Sequence, residues 1–454
     1  MFSKPYDCRR HPISRCSIGR VLCAGGLSLA GLLVALSAAG REPLPESIPL
    51  TLEIALAEAL ANNPSLNDLA ARVAAAEEIP AQAGSLPDPR LNVNGLNLPV
   101  NTFNLDQEAM TQMQLGFSQT IPFPGKRRLR RAAAAHNAEA AAERLSEARL
   151  DLVREVRRTW WEAVYLARSL DIIERNLVLL AQFNEIAATK YQVGDGLQQD
   201  VLLAQLERTR LLQRRIELEG LIDAQWSKLM TLLAWPRDRR PRLPDNIERD
   251  LPEIPGIEVW ARQARAERPV LAMLQSRIAA ARANRELAEK SYYPDLTFSA
   301  NYGLRQGNPM VVKRADFLSL MLNFEIPLFA GSKQDRLVAQ KRAELTAEEQ
   351  ALLDAINRVD AEVETAWYEY QSNRRQSDLY DQGILPQARE TVASMLAGYQ
   401  VNKVDFLNLV QAEISLYNFE QQSWGAMTAA AKALADLETA AGREGAGQES
   451  NDAN

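Results

Sequence analysis

The chain carries one plan twice, so any fold must accommodate a tandem duplication. The first copy contains Asn63-Pro64, Pro87-Asp88-Pro89, Ile121-Pro122-Phe123-Pro124-Gly125-Lys126, Trp160 and Tyr191-Gln192-Val193, in that order. The second contains Arg268-Pro269, Pro294-Asp295, Ile326-Pro327-Leu328-Phe329-Ala330-Gly331-Ser332-Lys333, Trp367 and Tyr399-Gln400-Val401, displaced by 205 to 208 positions. One unit covers 50–234 and the other 257–441. Between them, 235–256 holds Pro236, Pro241, Pro244, Pro252 and Pro255. So many prolines predict an extended linker rather than a helix. The small, polar stretch 442–454 is expected to be disordered.

Each unit opens on a helical segment (51–84 and 257–291) and continues into two short alternating segments. Leu296, Phe298, Ala300, Tyr302 and Leu304 alternate with polar or small residues, as do Leu318, Leu320, Leu322 and Phe324. Leu91 with Val93, and Met113, Leu115 and Phe117, repeat the pattern in the first unit. Period two predicts strands over about 90–99, 111–121, 296–305 and 317–327. Their length suits membrane-spanning strands, and their polar face of Gln, Asn, Ser and Thr suits a water-filled lumen.

A very long helical stretch follows in each unit. From Lys126 to Tyr191 there is neither proline nor glycine. At about 1.5 Å per residue that is roughly 100 Å of helix. Leu145, Ala148, Leu152, Val156, Trp160 and their successors recur at a coiled-coil spacing. The counterpart, Ser332 to Tyr399, has a weak point at Gly383 and Pro386.

The first 39 residues read as a secretory signal: Lys4, Arg9, Arg10, Arg15 and Arg20, then an apolar run, then small residues to Ala39. All three cysteines, Cys8, Cys16 and Cys23, lie within it. Its removal takes five basic residues and one acidic residue from a chain of net charge −6, leaving about −10. His136 is then the only histidine, in an alanine-rich helix. That inventory argues against a Cys/His metal centre, a nucleophile–histidine enzyme and a nucleic-acid partner, and no cofactor is expected.

Four membrane strands cannot stand alone, because an open sheet in lipid leaves its edge backbone groups unpaired. Closure requires further copies of the chain, and three copies give twelve strands. The duplicated plan, the two strand exits and the Tyr-Gln-Val breaks resemble outer membrane efflux proteins of the TolC type. The resemblance implies a homotrimer in the outer membrane of a Gram-negative bacterium. Four strands per chain would build a twelve-stranded β-barrel, continued into the periplasm by an α-helical barrel. It implies a passive duct joined to a periplasmic adaptor and an inner-membrane pump driven by protons. The stretch Tyr191 to Leu202 is most similar to the heavy-metal branch. Drug or polypeptide ducts share the architecture, and a soluble periplasmic coiled-coil scaffold is the alternative from another class.

The resemblance also assigns residues. Val193, Gly194 and Asp195, with Val401, Asn402 and Lys403, become periplasmic tips that touch the adaptor; Asn402 stands where the family has glycine. Asp200, Asp405 and Asn408 become the closed periplasmic gate, although Asp405 also suits a helix N-cap. The densest charge run, Lys126, Arg127, Arg128, Arg130 and Arg131, follows a strand exit and is expected at the membrane interface, attracted to anionic headgroups, with a plain solvated helix face as the alternative.

Overall fold

The computed structural model describes residues 49–236, 239–307 and 314–444. The expected signal segment and most of the expected tail lie outside them. The first copy holds α1 (Leu52–Asn62), α2 (Pro64–Gly84), β1 (Arg90–Leu96), β2 (Gln112–Ile121), α3 (Lys126–Gln192) and α4 (Gln198–Leu232). The second holds α5 (Ile257–Glu267), α6 (Pro269–Glu289), a 3₁₀ turn at Lys290–Tyr292, β3 (Leu296–Leu304) and β4 (Phe317–Phe324). It ends with α7 (Gln334–Leu379), a π-helical segment (Tyr380–Ile384), α8 (Leu385–Gln400) and α9 (Phe406–Ala440).

Each opening helical segment is two helices, not one. The chain breaks at Asn63 and at Arg268, each extended and each followed by a proline. Proline disfavours helical backbone in the residue before it yet suits the first turn after it. β1 stops at Leu96, short of 99, because Asn97 takes φ +54° and turns the chain. β4 stops at Phe324, three residues before Pro327.

The same tertiary contacts occur twice. Trp160 Nε1 donates to the Leu50 carbonyl at 3.0 Å, and Trp367 Nε1 to that of Pro255 at 3.0 Å. Asn63 Nδ2 donates to the Leu232 carbonyl at 3.1 Å, and Arg268 Nη1 to that of Thr439 at 2.6 Å. Each side chain thereby satisfies a carbonyl near the end of its copy's last helix. Each copy builds its own core, Leu50, Val156, Trp160 and Leu229 in the first and Trp260, Val359, Val363 and Leu437 in the second. A third cluster, Leu180, Phe183, Phe406 and Leu409, joins the copies near the breaks at Gln192 and Gln400.

The four strands form one antiparallel sheet in the order β1-β2-β3-β4, so the copies meet at β2–β3. The register aligns Leu91, Phe117, Ala300 and Leu320 across it, and beside them Val93, Leu115, Tyr302 and Leu318. That apolar face is open: Leu91 is 75%, Val93 73% and Leu320 64% exposed. On the other face Ser299 and Asn301 are buried. The sheet is inside-out for water and correct for lipid outside a polar lumen. No helix among the described residues is long and apolar enough to cross a membrane.

Candidate gate at the helical tips

The two tips are conformational copies. α3 ends in a turn with Gly194 at φ +83°, closed by Asp195 N to the Lys190 carbonyl at 2.9 Å. α8 ends in the same turn with Asn402 at φ +59°, closed by Lys403 N to the Gly398 carbonyl at 2.8 Å. The left-handed residue after a helix satisfies carbonyls that the helix leaves free. Asparagine tolerates that region, which is how Asn402 replaces a glycine here. Val193, Gly194, Asp195, Val401, Asn402 and Lys403 are all exposed.

The residues expected at a gate are not equivalent in the duplication. α4 and α9 are both 35 residues long and offset by 208, so Asp200 corresponds to Asn408 and Asp405 to Leu197. Asp405 is the N-cap residue of α9, in extended backbone, but its side chain makes no capping bond. Asp405 and Asn408 are exposed, while Asp200 is half-buried in the first turn of α4.

The copies are tied together at this end by Lys190 and Tyr399, a contact that the sequence did not reveal. Lys190 Nζ donates to the Tyr399 carbonyl at 2.5 Å and to Asn402 Oδ1, and lies 4.4 Å from the centre of the Tyr399 ring. Tyr399 is buried against Phe406, with ring centres 5.1 Å apart. Burial pushes the Asp200 carboxyl above its ordinary value and the Asp405 charge adds to this, while Leu197 N–H, the Tyr399 hydroxyl and Lys190 oppose it. The Tyr399 hydroxyl is itself pushed up to about 12, by burial and then by Asp200. Tyr399 was visible in the sequence only as part of the Tyr-Gln-Val landmark; nothing there paired it with Asp200.

A second carboxylate lies further along α9. Glu413 is 3% exposed and its Oε2 has no hydrogen-bond partner. Burial, with the Glu420 charge behind it, pushes it up to about 7.

The basic run divides. Lys126 is buried, contrary to the expected lipid-facing cluster, because Nζ donates to Asp295 Oδ1 at 2.7 Å and to the Tyr293 carbonyl at 2.8 Å. Asp295 also accepts from Phe123 N at 2.8 Å. Burial works to raise the Asp295 carboxyl, but Lys126 and the Phe123 amide hold it below its ordinary value. Arg127 is also occupied, donating to the Gly84 carbonyl at 2.8 Å. Arg128 and Arg131 are exposed and Arg130 half-exposed. His136 lies on the α3 surface with Nδ1 2.8 Å from Glu139. No cluster of metal-ligating side chains occurs among the described residues.

The family model for outer membrane efflux proteins matches residues 55–234 and 260–443, one span in each copy. The chain belongs to the outer membrane efflux protein family. That places it in the outer membrane, reaching into the periplasm, in a family of channel ducts rather than enzymes. It is 25% identical over 327 residues to the pyoverdine export outer membrane protein OpmQ of Pseudomonas putida. That match covers 68% of this chain and 65% of OpmQ, just under two thirds of the relative's length. Among solved structures, CusC superposes with a TM-score of 0.74 at 19% identity, over 87% of this chain and 93% of CusC. VceC from Vibrio cholerae does so with a TM-score of 0.72 at 19% identity, over 86% and 96%. These likenesses establish the fold.

Proposed function

We propose that three copies of this efflux-family chain close into a passive exit duct, joined at its periplasmic tips to an adaptor and through it to a proton-driven inner-membrane pump. The observation that carries this reading is the inside-out sheet, with neither edge paired among the described residues, attached to a helix of 67 residues. At about 1.5 Å per residue that helix spans roughly 100 Å. A soluble scaffold would have no use for the exposed apolar sheet face. Val193 to Asp195 and Val401 to Lys403 are the adaptor contacts. Arg128, Arg130 and Arg131 retain the headgroup role.

Asp200, Asp405 and Asn408 form the gate in this reading, with Lys190 and Tyr399 holding one chain's two tips together. Threefold symmetry brings three Asp405 carboxylates around one mouth. At about 6 Å and an effective dielectric constant of about 20, each pair repels by about 3 kcal/mol before screening. A narrow anionic ring favours cations. Together with the Tyr191 to Leu202 likeness to the heavy-metal branch, this favours metal cations as the cargo, with the pump setting final specificity.

Planar-bilayer recordings test the gate. Asp405→Ala is expected to lower cation over anion preference and weaken block by added divalent cations. Wild-type selectivity and block in the variant would remove Asp405 from the gate. Loss of metal tolerance on deletion, restored by the wild-type chain, tests the cargo.

A further inference from the structure

The β2–β3 seam inside one chain is a template for the seam between chains. β2 belongs to the first copy and β3 to the second, and their register is complete from Met113↔Leu304 to Ile121↔Leu296. The outer edges, β4 of the second copy and β1 of the first, have no partner strand among the described residues. The strand exits Ile121-Pro122 and Ile326-Pro327 fix an offset of 205 from β2 to β4. The entrances Pro87-Asp88 and Pro294-Asp295 fix an offset of 207 between β1 and β3. Carrying the β2–β3 register across by these offsets sets β4 against β1 of a second copy, residue by residue.

The transferred register passes a test that it was not built to pass. Phe117↔Ala300 becomes Leu322 opposite Val93, and Gln119↔Phe298 becomes Phe324 opposite Leu91, all on the apolar face. Ser118↔Ser299 becomes Asn323 opposite Asn92, on the polar face. A slip of one residue would put apolar side chains against polar ones. At Thr120↔Thr297, where the two hydroxyl oxygens are 3.0 Å apart within the chain, the transfer gives Glu325 opposite Arg90. Where Lys126 grips Asp295 at 2.7 Å, the helix offset of 207 (Trp160 to Trp367) gives Lys333 and Asp88.

All four charged residues are exposed, and none forms an ion pair within the described chain. We infer that β4 of one copy pairs with β1 of the next in this register, with Glu325 facing Arg90 and Lys333 facing Asp88 across each subunit boundary. Two opposite-charge pairs at one end of the seam select the head-to-tail order and the register of assembly. This rests on the closed-duct reading above and adds to it the residues that recognise the second copy.

The test uses the full chain, assembled in the outer membrane and extracted in mild detergent. Arg90→Glu sets two acids opposite each other at every boundary, as does Lys333→Asp. Each is expected to lower SDS-resistant oligomer about tenfold, since directly opposed like charges destabilise a strand pair. Restored charge order, Arg90→Glu with Glu325→Arg and Lys333→Asp with Asp88→Lys, should recover most of it. Asn92→Cys with Asn323→Cys should give an inter-chain disulfide, and Asn92→Cys with Ser319→Cys should not. Undiminished oligomer in the single variants, absence of rescue, or cross-linking in the shifted pair overturns the register while leaving the duct intact. A wild-type chain that never forms SDS-resistant or cross-linked oligomer overturns both.

Discussion

The first copy travels from strand exit to tip as one helix of 67 residues, whereas the second covers the same path as α7, a π-helical segment and α8. The break falls at Gly383 and just before Pro386, whose missing N–H cannot complete an α-helical ladder. A π segment accommodates such a loss without ending the helix. The linker fastens it: Arg249 Nη2 donates to Asp381 Oδ1 at 2.9 Å and to Ser423 Oγ at 2.5 Å. The first copy has Asn176 and Leu179 at the corresponding places and needs no such clamp. Duplication thus conserves the path of the chain while the local hydrogen bonding diverges, and the differences show which contacts each copy depends on.

The largest contrast is at the joint before the second helix. Arg268 is 5% exposed, bound to Glu147 at 2.7 Å and to the Thr439 carbonyl, where the first copy uses the neutral Asn63. Arg268→Met leaves the half-buried Glu147 without its cation and the Thr439 carbonyl without its donor, and is expected to destabilise the protein by about 3 kcal/mol. Asn63→Ala removes a half-exposed bond and the cap that Asn63 Oδ1 gives Ser65 N, and should cost only about 1–2 kcal/mol. Thermal unfolding of the detergent-extracted protein orders the two, and equal losses would break the contrast.

A smaller contrast concerns Glu413, whose counterpart at an offset of 208 is the exposed Gln205. The groups packed around Glu413 leave it uncompensated. On α4, Glu207 holds Arg210 and Glu217 holds Arg214, while Glu420 on α9 is met by Arg389 at 3.2 Å and Arg175 of α3 at 3.7 Å. A carboxyl raised to about 7 in the folded state contributes stability that is fully present below its unfolded value and is lost as pH rises through 7. Glu413→Gln should therefore stabilise the protein by about 2–3 kcal/mol at pH 8, with the gain shrinking toward pH 5. A melting difference that does not vary with pH would show that Glu413 finds a cation in the assembled protein.

The smallest contrast lies at the ends of α4 and α9. Ala234 takes φ +55° where the second copy has Gly442 at φ +81°. A side chain at 442 would meet the Glu267 carbonyl carbon at 2.8 Å, so glycine is required there. Ala234→Gly relieves left-handed strain and is expected to gain about 0.5–1 kcal/mol, less the entropy of a more flexible unfolded chain. A loss of stability would mean that the Ala234 methyl packs usefully.

Much of this architecture was legible in the sequence, for reasons that particular residues make plain. Period-two patterning located all four strands because one face meets lipid and the other a lumen. The absence of proline and glycine located α3. The strand ends were less legible, since Asn97 ends β1 through its backbone conformation rather than its polarity. Lys126 was misplaced because counting charge along the chain cannot reveal Asp295, 169 positions away. The proposed gate rests on resemblance alone: Asp200 and Asp405 look alike in sequence, but they occupy different helix positions and different depths.

The most direct measurement is the native mass of the detergent-extracted complex. Closure of an inside-out, four-stranded sheet by twelve strands requires three chains, with no stable monomer or dimer at concentrations where the complex survives. A mass of three chains is the expected result; a mass of one or two would contradict the shared barrel and the duct built on it.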